Sequence, residues 1–284
     1  MKCISKIAFL GLLLTGCSTF DESDFNEPPK VVVDGYIEEG NYPIVYLTYS
    51  SGYFEPVDSA SLQELVLTTA KVEISDGEES EILTLFRNSE VYPPFYYRGT
   101  DIRGEAGKTY HIEVTSGEGV YQSSTTIPKH VPLDSVWLET DPENDQLAKL
   151  WISFSDDSDE ENFYRNFVRV RNESEKFFPA YQSTIIDRVF NGQQYEYPVL
   201  QQPDDFLELG DEILFQRGDT INVKFCTLDR ESFEFWRALE QELYLVGNPF
   251  GSSGNDIPGN VSGNLPVLGI WTGYGMDQRT IIFK

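Results

Sequence analysis

From Lys30 onward apolar and polar residues alternate with a period of two, in short runs broken by Gly, Asp and Pro. That period sends successive side chains to opposite faces, so each run reads as a half-buried strand. Val31, Val33 and Ile37 share one face of the first run, Glu38 to Asn41 turns the chain, and Ile44 to Tyr49 returns. Lys71 to Ile74 then leads into Asp76-Gly77, a pair suited to a type I′ hairpin turn, where both central residues need positive φ. Ile82 to Leu85, Phe95 to Arg98, Thr109 to Thr115 and Val120 to Thr126 supply the remaining strands. Short strands at this spacing predict an immunoglobulin-like β-sandwich over residues 30–131, built without a disulfide.

Pro128 and Pro132 bracket a boundary, since prolines interrupt ladders and stiffen a linker. Residues 132–284 predict a second β domain. Its strands include Val136 and Leu138, then Leu150, Ile152 and Phe154, then Val168 and Val170. Asn191-Gly192 and Gly218-Asp219 are candidate hairpin turns, the latter leading to Ile221, Val223 and Phe225. One helix is predicted at about 229–246, with Asp229 as N-cap and Gly247 as its stop. Phe233, Trp236, Leu239, Leu243 and Val246 form its expected apolar stripe. A Gly-, Asn- and Pro-rich segment, Gly247 to Pro266, precedes the closing strands Val267 to Trp271 and Arg279 to Phe283. The fold class expected is therefore mainly β, as two successive domains.

The N-terminus has a different pattern. Lys2 and Lys6 precede a short apolar run, Ile7 to Leu14, far below the ~20 residues that span a bilayer. Residues 1–16 thus read as a secretory signal peptide. Leu14-Thr15-Gly16-Cys17 looks like a lipobox, which makes Cys17 the first mature residue and its lipidation site. Two or more acyl chains on Cys17 give stable anchoring to a membrane. Residues 17–29, with Asp21, Glu22 and Asp24 and closed by Pro28-Pro29, read as an acidic tether. Such acids behind a lipidated cysteine resemble a surface-export signal; an ordinary solvated linker is the alternative. Cys3 leaves with the signal, so only Cys226 remains and no intrachain disulfide forms. Cys226 lies in a strand-like run and is expected to be a small packed residue.

Charge narrows the partners. Lys and Arg total 21 against 47 Asp and Glu, a net −26, and the mature chain loses Lys2 and Lys6 besides. A surface that negative repels phosphate backbones and excludes nucleic acid. No cofactor is expected. Gly104-Glu105-Ala106-Gly107-Lys108-Thr109 imitates a phosphate loop, but the spacing requires Gly where Ile102 stands, and Thr109 to Val114 alternate as a strand. His111 is expected to face solvent and His130 lies in the linker; neither forms an HExxH pair, and no G-x-S-x-G elbow occurs. Two acidic runs, Asp141 to Asp145 and Asp156 to Asn162, offer oxygen ligands, with Asp157, Asp159 and Glu161 as weak Ca²⁺ candidates. Both lack the glycine and terminal acid of an EF-hand loop. Aromatics make up 14 % of the chain. Tyr96, Tyr97, Phe250, Trp271 and Tyr274 sit beside turn residues as candidate interface or ligand contacts, with core filling as the alternative.

VVVDGYIEE, AKVEISDG, GEAGKTYHIEVTSGEGVYQSSTTIP, VPLDSVWL, the helix after TLDRESF and IPGNVSGNLPVLGIWTGYG occur in an order that resembles a family of Bacteroidetes outer-membrane lipoproteins. That family carries a domain of unknown function and is usually encoded beside a TonB-dependent receptor. The resemblance covers nearly all of the mature chain. It implies a lipid-anchored outer-membrane protein, facing the exterior, that is not an enzyme and assists a TonB-dependent transporter in nutrient uptake. A free-standing glycan- or peptide-binding module is the next reading, and a carboxylate-dependent glycosidase the third, since some pair among 47 acids can fall at catalytic spacing by chance. On the leading reading, the segment from Gly247 to Tyr274 docks on the transporter; on the other, Trp271 folds it back onto the second domain.

Overall fold

The computed structural model describes residues 28–51, 59–89, 92–171, 173–174, 176–203, 210–245 and 257–284. Cys17, the signal peptide, most of the tether, Phe250 and the first half of the Gly-rich segment lie outside these residues. The first half of the chain runs β1 (Val31–Glu38), β2 (Ile44–Tyr49), α1 (Ser59–Glu64), β3 (Lys71–Ser75), β4 (Ser80–Ile82), β5 (Thr84–Arg87), β6 (Phe95–Arg98), β7 (Thr109–Ser116) and β8 (Gly119–Thr126). The second half begins with β9 (Leu133–Thr140), β10 (Leu147–Ser155), β11 (Phe163–Val170), β12 (Phe178–Ile186), β13 (Gln194–Val199) and β14 (Phe215–Gln216). It ends with β15 (Thr220–Leu228), α2 (Arg230–Leu245), β16 (Ser262–Gly263) and β17 (Val267–Ile282). The chain is mainly β, as its alternation predicts.

Three sheets form. An eight-stranded sheet has the order β12-β11-β15-β17-β1-β2-β6-β5, a five-stranded one β16-β8-β7-β3-β4, and a smaller one β13-β10-β14 with β9 also on β10. The two smaller sheets lie under the same face of the large one. Val33, Ile37, Val45 and Leu47 on that face pack with Val72, Ile74, Tyr110 and Ile112 into one core. Tyr164, Val223 and Phe225 pack with Leu150, Ile152 and Phe154 into a second. The first core draws on residues up to Ile127 and again on Trp271, and the second on residues between Leu133 and Phe225, so the chain leaves the first core and returns to it. β17 pairs in parallel with β1 from Val267 to Tyr274, then antiparallel with β15 from Gly275 to Ile282. One strand thereby joins both halves into a single sheet, and Trp271 belongs to the first core. Gly273 and Gly275 make room for this crossing. A Cβ on Gly273 would stand 3.0 Å from the Thr126–Ile127 backbone, and one on Gly275 would run into the Pro128 carbonyl.

Local details depart from expectation where side chains compete for backbone. In the β3–β4 connection only Gly77 takes positive φ (+91°), so the turn is not type I′; Asp76 Oδ1 instead accepts from the Glu78 and Glu79 amides at 3.0 and 2.9 Å. Gly218-Asp219 links strands of different sheets, and Asn191-Gly192 comes after a 3-10 turn (Asp187–Val189), so neither closes a hairpin. Asp229 does cap α2, its Oδ1 accepting from the Ser232 amide at 2.7 Å. The buried face of α2, however, is Ser232, Phe233 and Glu240, with Leu243 exposed. The helix lies on the free face of the large sheet, where Glu240 accepts from the Ser183 amide at 3.1 Å, from the Ser183 hydroxyl, and from Thr184 Oγ1 at 2.7 Å. A polar clamp thus takes the place of part of the expected apolar stripe.

Candidate functional site

The alternation that buries Val33 and Ile37 under the large sheet turns Asp34, Tyr36 and Glu38 to its other face. Neighbouring strands add Tyr46 from β2, Tyr96 and Arg98 from β6, Arg165 and Phe167 from β11, Lys224 from β15 and Tyr274 from β17. Phe177, just before β12, and Trp236 of α2 close one side. The result is a cleft of about 890 Å³, near the upper end of the roughly 300–1,000 Å³ typical of small-ligand sites.

Its floor holds charges that a sheet normally keeps at the surface. Arg165 is buried, its Nε donating to Ser183 Oγ at 3.2 Å and its Nη1 to Tyr274 Oη at 3.0 Å. Its guanidinium also lies 3.7 Å from the Trp236 ring centroid and 4.8 Å from that of Phe167. Burial raises the Tyr274 hydroxyl well above the ordinary phenol range, against the pull of Arg165, so it accepts as a neutral phenol. Lys224 Nζ donates to Glu38, which also takes a bond from Asn41 Nδ2 at 3.1 Å. Asp34 is open to the water of the cleft, yet the walls around it desolvate its carboxyl and raise its pKa, opposed by the charges of Arg165 and Lys176. No hydrogen bond from a described residue reaches that carboxylate. Desolvation likewise pushes the Tyr46 hydroxyl up to about 12, helped by Asp34 and Tyr96. The cleft is thus built of pre-positioned donors, cations and rings on a rigid sheet.

A family model for a domain of unknown function, DUF4249, matches residues 18–280. The chain belongs to the DUF4249 family. That match spans both cores, the crossing strand and every element lining the cleft. No curated protein matches the chain. A crystal structure of bovine butyrophilin aligns with 72 % of this chain and 93 % of its own at 9 % identity and a TM-score of 0.19, a likeness that carries no argument.

Of the residues singled out in the DUF4249 sequence, Tyr96 and Tyr274 line the cleft. Tyr97 and Trp271 do not. Tyr97 points into the first core, its hydroxyl accepting from the Ala70 amide at 3.0 Å. Trp271 is fully buried, and its Nε1 donates to the Tyr110 carbonyl at 3.0 Å. The described end of the Gly-rich segment is also structural: Asn260 accepts from the Trp271 amide at 2.9 Å and donates to its carbonyl, while β16 pairs with β8. Two of the Ca²⁺ candidates have protein partners. Glu161 pairs with Arg188 at 2.9 Å and with Arg230, and Asp157 Oδ1 accepts from the Asp159 amide at 3.2 Å. Among the described residues no group of three or more His, Cys, Asp or Glu is placed to hold a metal. His111 is exposed, as expected.

Cys226 is fully buried, and burial pushes its thiol up to about 12. A raised pKa leaves almost no thiolate in the folded chain, whereas an unfolded cysteine titrates at about 8.5. A maleimide at pH 8 is therefore expected to spare Cys226 in the native protein and label it rapidly in denaturant, as read by mass spectrometry; equal labelling in both states would refute this burial.

Sequence reasoning missed Arg165, Lys224, Asp34 and Trp236 as site residues. The signal was present: Arg165 and Lys224 interrupt strands whose neighbours on both faces are buried. A cation in the middle of such a strand needs an organised polar environment.

Proposed function

We propose that the protein is a non-enzymatic lipoprotein of the outer-membrane surface that captures a ligand in this cleft and assists a TonB-dependent transporter in its uptake. The observation that carries the reading is the cleft itself: cations and rings fixed by buried partners on a sheet, open to solvent, with Glu38 tied to Lys224 rather than free for acid–base work. Location and neighbour rest on the lipobox at Cys17, the acidic tether and the family resemblance. Confinement to the transporter's membrane raises the effective concentration, so a modest interface suffices. A free-standing binding module uses the same cleft without the transporter.

Both halves of this reading are testable in cells. Cys17→Ala removes the sulfur that forms the thioether, so labelling with a fatty-acid probe should be lost and the protein released or left uncleaved. Wild-type protein drawn from detergent-solubilised outer membrane should bring a TonB-dependent receptor with it. Continued labelling of the variant would overturn the anchor, and capture without any receptor would favour the free-standing module.

A further inference from the structure

The cleft's charge runs against the rest of the molecule. The whole chain is −26, yet the described residues lining the cleft include six Arg and Lys against three Asp and Glu. Outside the cleft five cations are paired with acids, Lys71 with Glu73, Lys108 with Asp76 and Glu105, Arg188 and Arg230 with Glu161, and Arg279 with Asp277, while Arg87, Arg217 and Arg237 lie singly over rings. Among the described residues of the cleft only Lys224 is paired with an acid, Glu38. Arg98, Arg103, Arg165, Arg171 and Lys176 make no ion pair with a described carboxylate, and the other described acids of the lining are Asp34 and Glu173. Rings hold four of these cations, Arg165 against Trp236 as described above. Arg98 stands 5.3 Å from the Tyr42 ring centroid, Arg103 4.0 Å from the same ring, and Lys176 5.1 Å from that of Tyr46. A ring face fixes a cation without cancelling its charge, whereas a carboxylate would neutralise it. In a chain with twice as many acids as bases, this arrangement preserves positive charge where a ligand can reach it. The distant acidic surface matters little, because salt screens it beyond about 8 Å at physiological ionic strength.

Resting on the reading of the cleft as a capture site, we infer that its ligand is a soluble organic polyanion carrying two or more carboxylate or phosphoryl groups, bound by Arg98, Arg171 and Lys176 over the tyrosine-lined floor. Arginine forks match the planar or tetrahedral oxygens of either group. The volume suits a body the size of a short oligomer rather than a lone inorganic ion.

Calorimetric titration of the intact mature protein with trigalacturonate, fructose 1,6-bisphosphate and neutral maltotriose tests this. At least one charged probe should bind, maltotriose at least about tenfold more weakly, and raising NaCl from about 0.05 to about 0.5 M should weaken the charged probe about tenfold. The preferred probe names the group, carboxylate or phosphoryl. Arg98→Gln and Lys176→Gln should each weaken that probe about tenfold or more while leaving the melting temperature of the unliganded protein unchanged or raised, because each removes a like charge from the cluster. Maltotriose binding as well as the acids would overturn the charge inference and leave ligand capture standing. Binding of neither acid, or acid binding untouched by both variants, would also overturn it, and the receptor pull-down then judges the capture reading separately.

Discussion

Trp271→Ala is expected to destabilise the protein by about 3–5 kcal/mol, the range for removing a large buried aromatic side chain. Trp271 is fully buried, lies against Gly35, where a Cβ would come within 2.8 Å of its ring, and donates its indole proton to Tyr110. Alanine therefore leaves a cavity and removes the indole hydrogen bond together. The position also makes the loss unusually far-reaching. Trp271 sits on the last strand but fills the first core, so its removal loosens the grip of β17 on β1 and the continuity of the large sheet. Urea unfolding should show a lower midpoint with the slope retained, and Trp271→Phe should recover more than half of the loss. A shift below about 1 kcal/mol would mean that β17 is held by backbone pairing alone.

The second large effect is expected at the Lys224–Glu38 pair. Both side chains are nearly buried, so Lys224→Ala leaves the Glu38 carboxylate without its counter-ion, at a cost of about 3–5 kcal/mol for a buried pair broken on one side. Asn41 still donates to Glu38, which favours the lower end of that range. Replacing both partners, as Lys224→Met with Glu38→Gln, should recover most of the stability, because two charges no longer need desolvating. Melting should fall by several degrees in the single variant, at about 2–4 °C per kcal/mol for chains of this size, and return close to wild type in the double. Equal losses in single and double variants would show that the contact of the lysine ammonium with the Phe167 and Phe177 rings, rather than its pairing with Glu38, is what the strand requires.

Alternation along the chain was enough to place β1, β7, β8, β10 and β15, because each is a local run whose burial obeys its own period. The helix was equally legible, with Asp229 as its cap. The face it buries was not. Leu243 looks like core and Glu240 like surface until β12 supplies Ser183 and Thr184 as hydrogen-bond donors. Tyr96 and Tyr274 were found as candidate contacts by their neighbours in sequence, yet the same reasoning chose Tyr97 and Trp271, one pleat or three residues away, which face the core. Identity of residue does not reveal which side of a sheet will be covered.

By itself, then, the amino-acid order determined the mainly β class, most strand positions and the acidic balance of the chain, since each depends on neighbours within a few residues. The tertiary structure decided that the two halves share one sheet, that β17 belongs to both, and that Asp34, Arg98, Arg165 and Lys224 meet in one cleft. Those residues are far apart in sequence, and strand pairing is set by which distant edges can bury their apolar faces together. No local period records that choice.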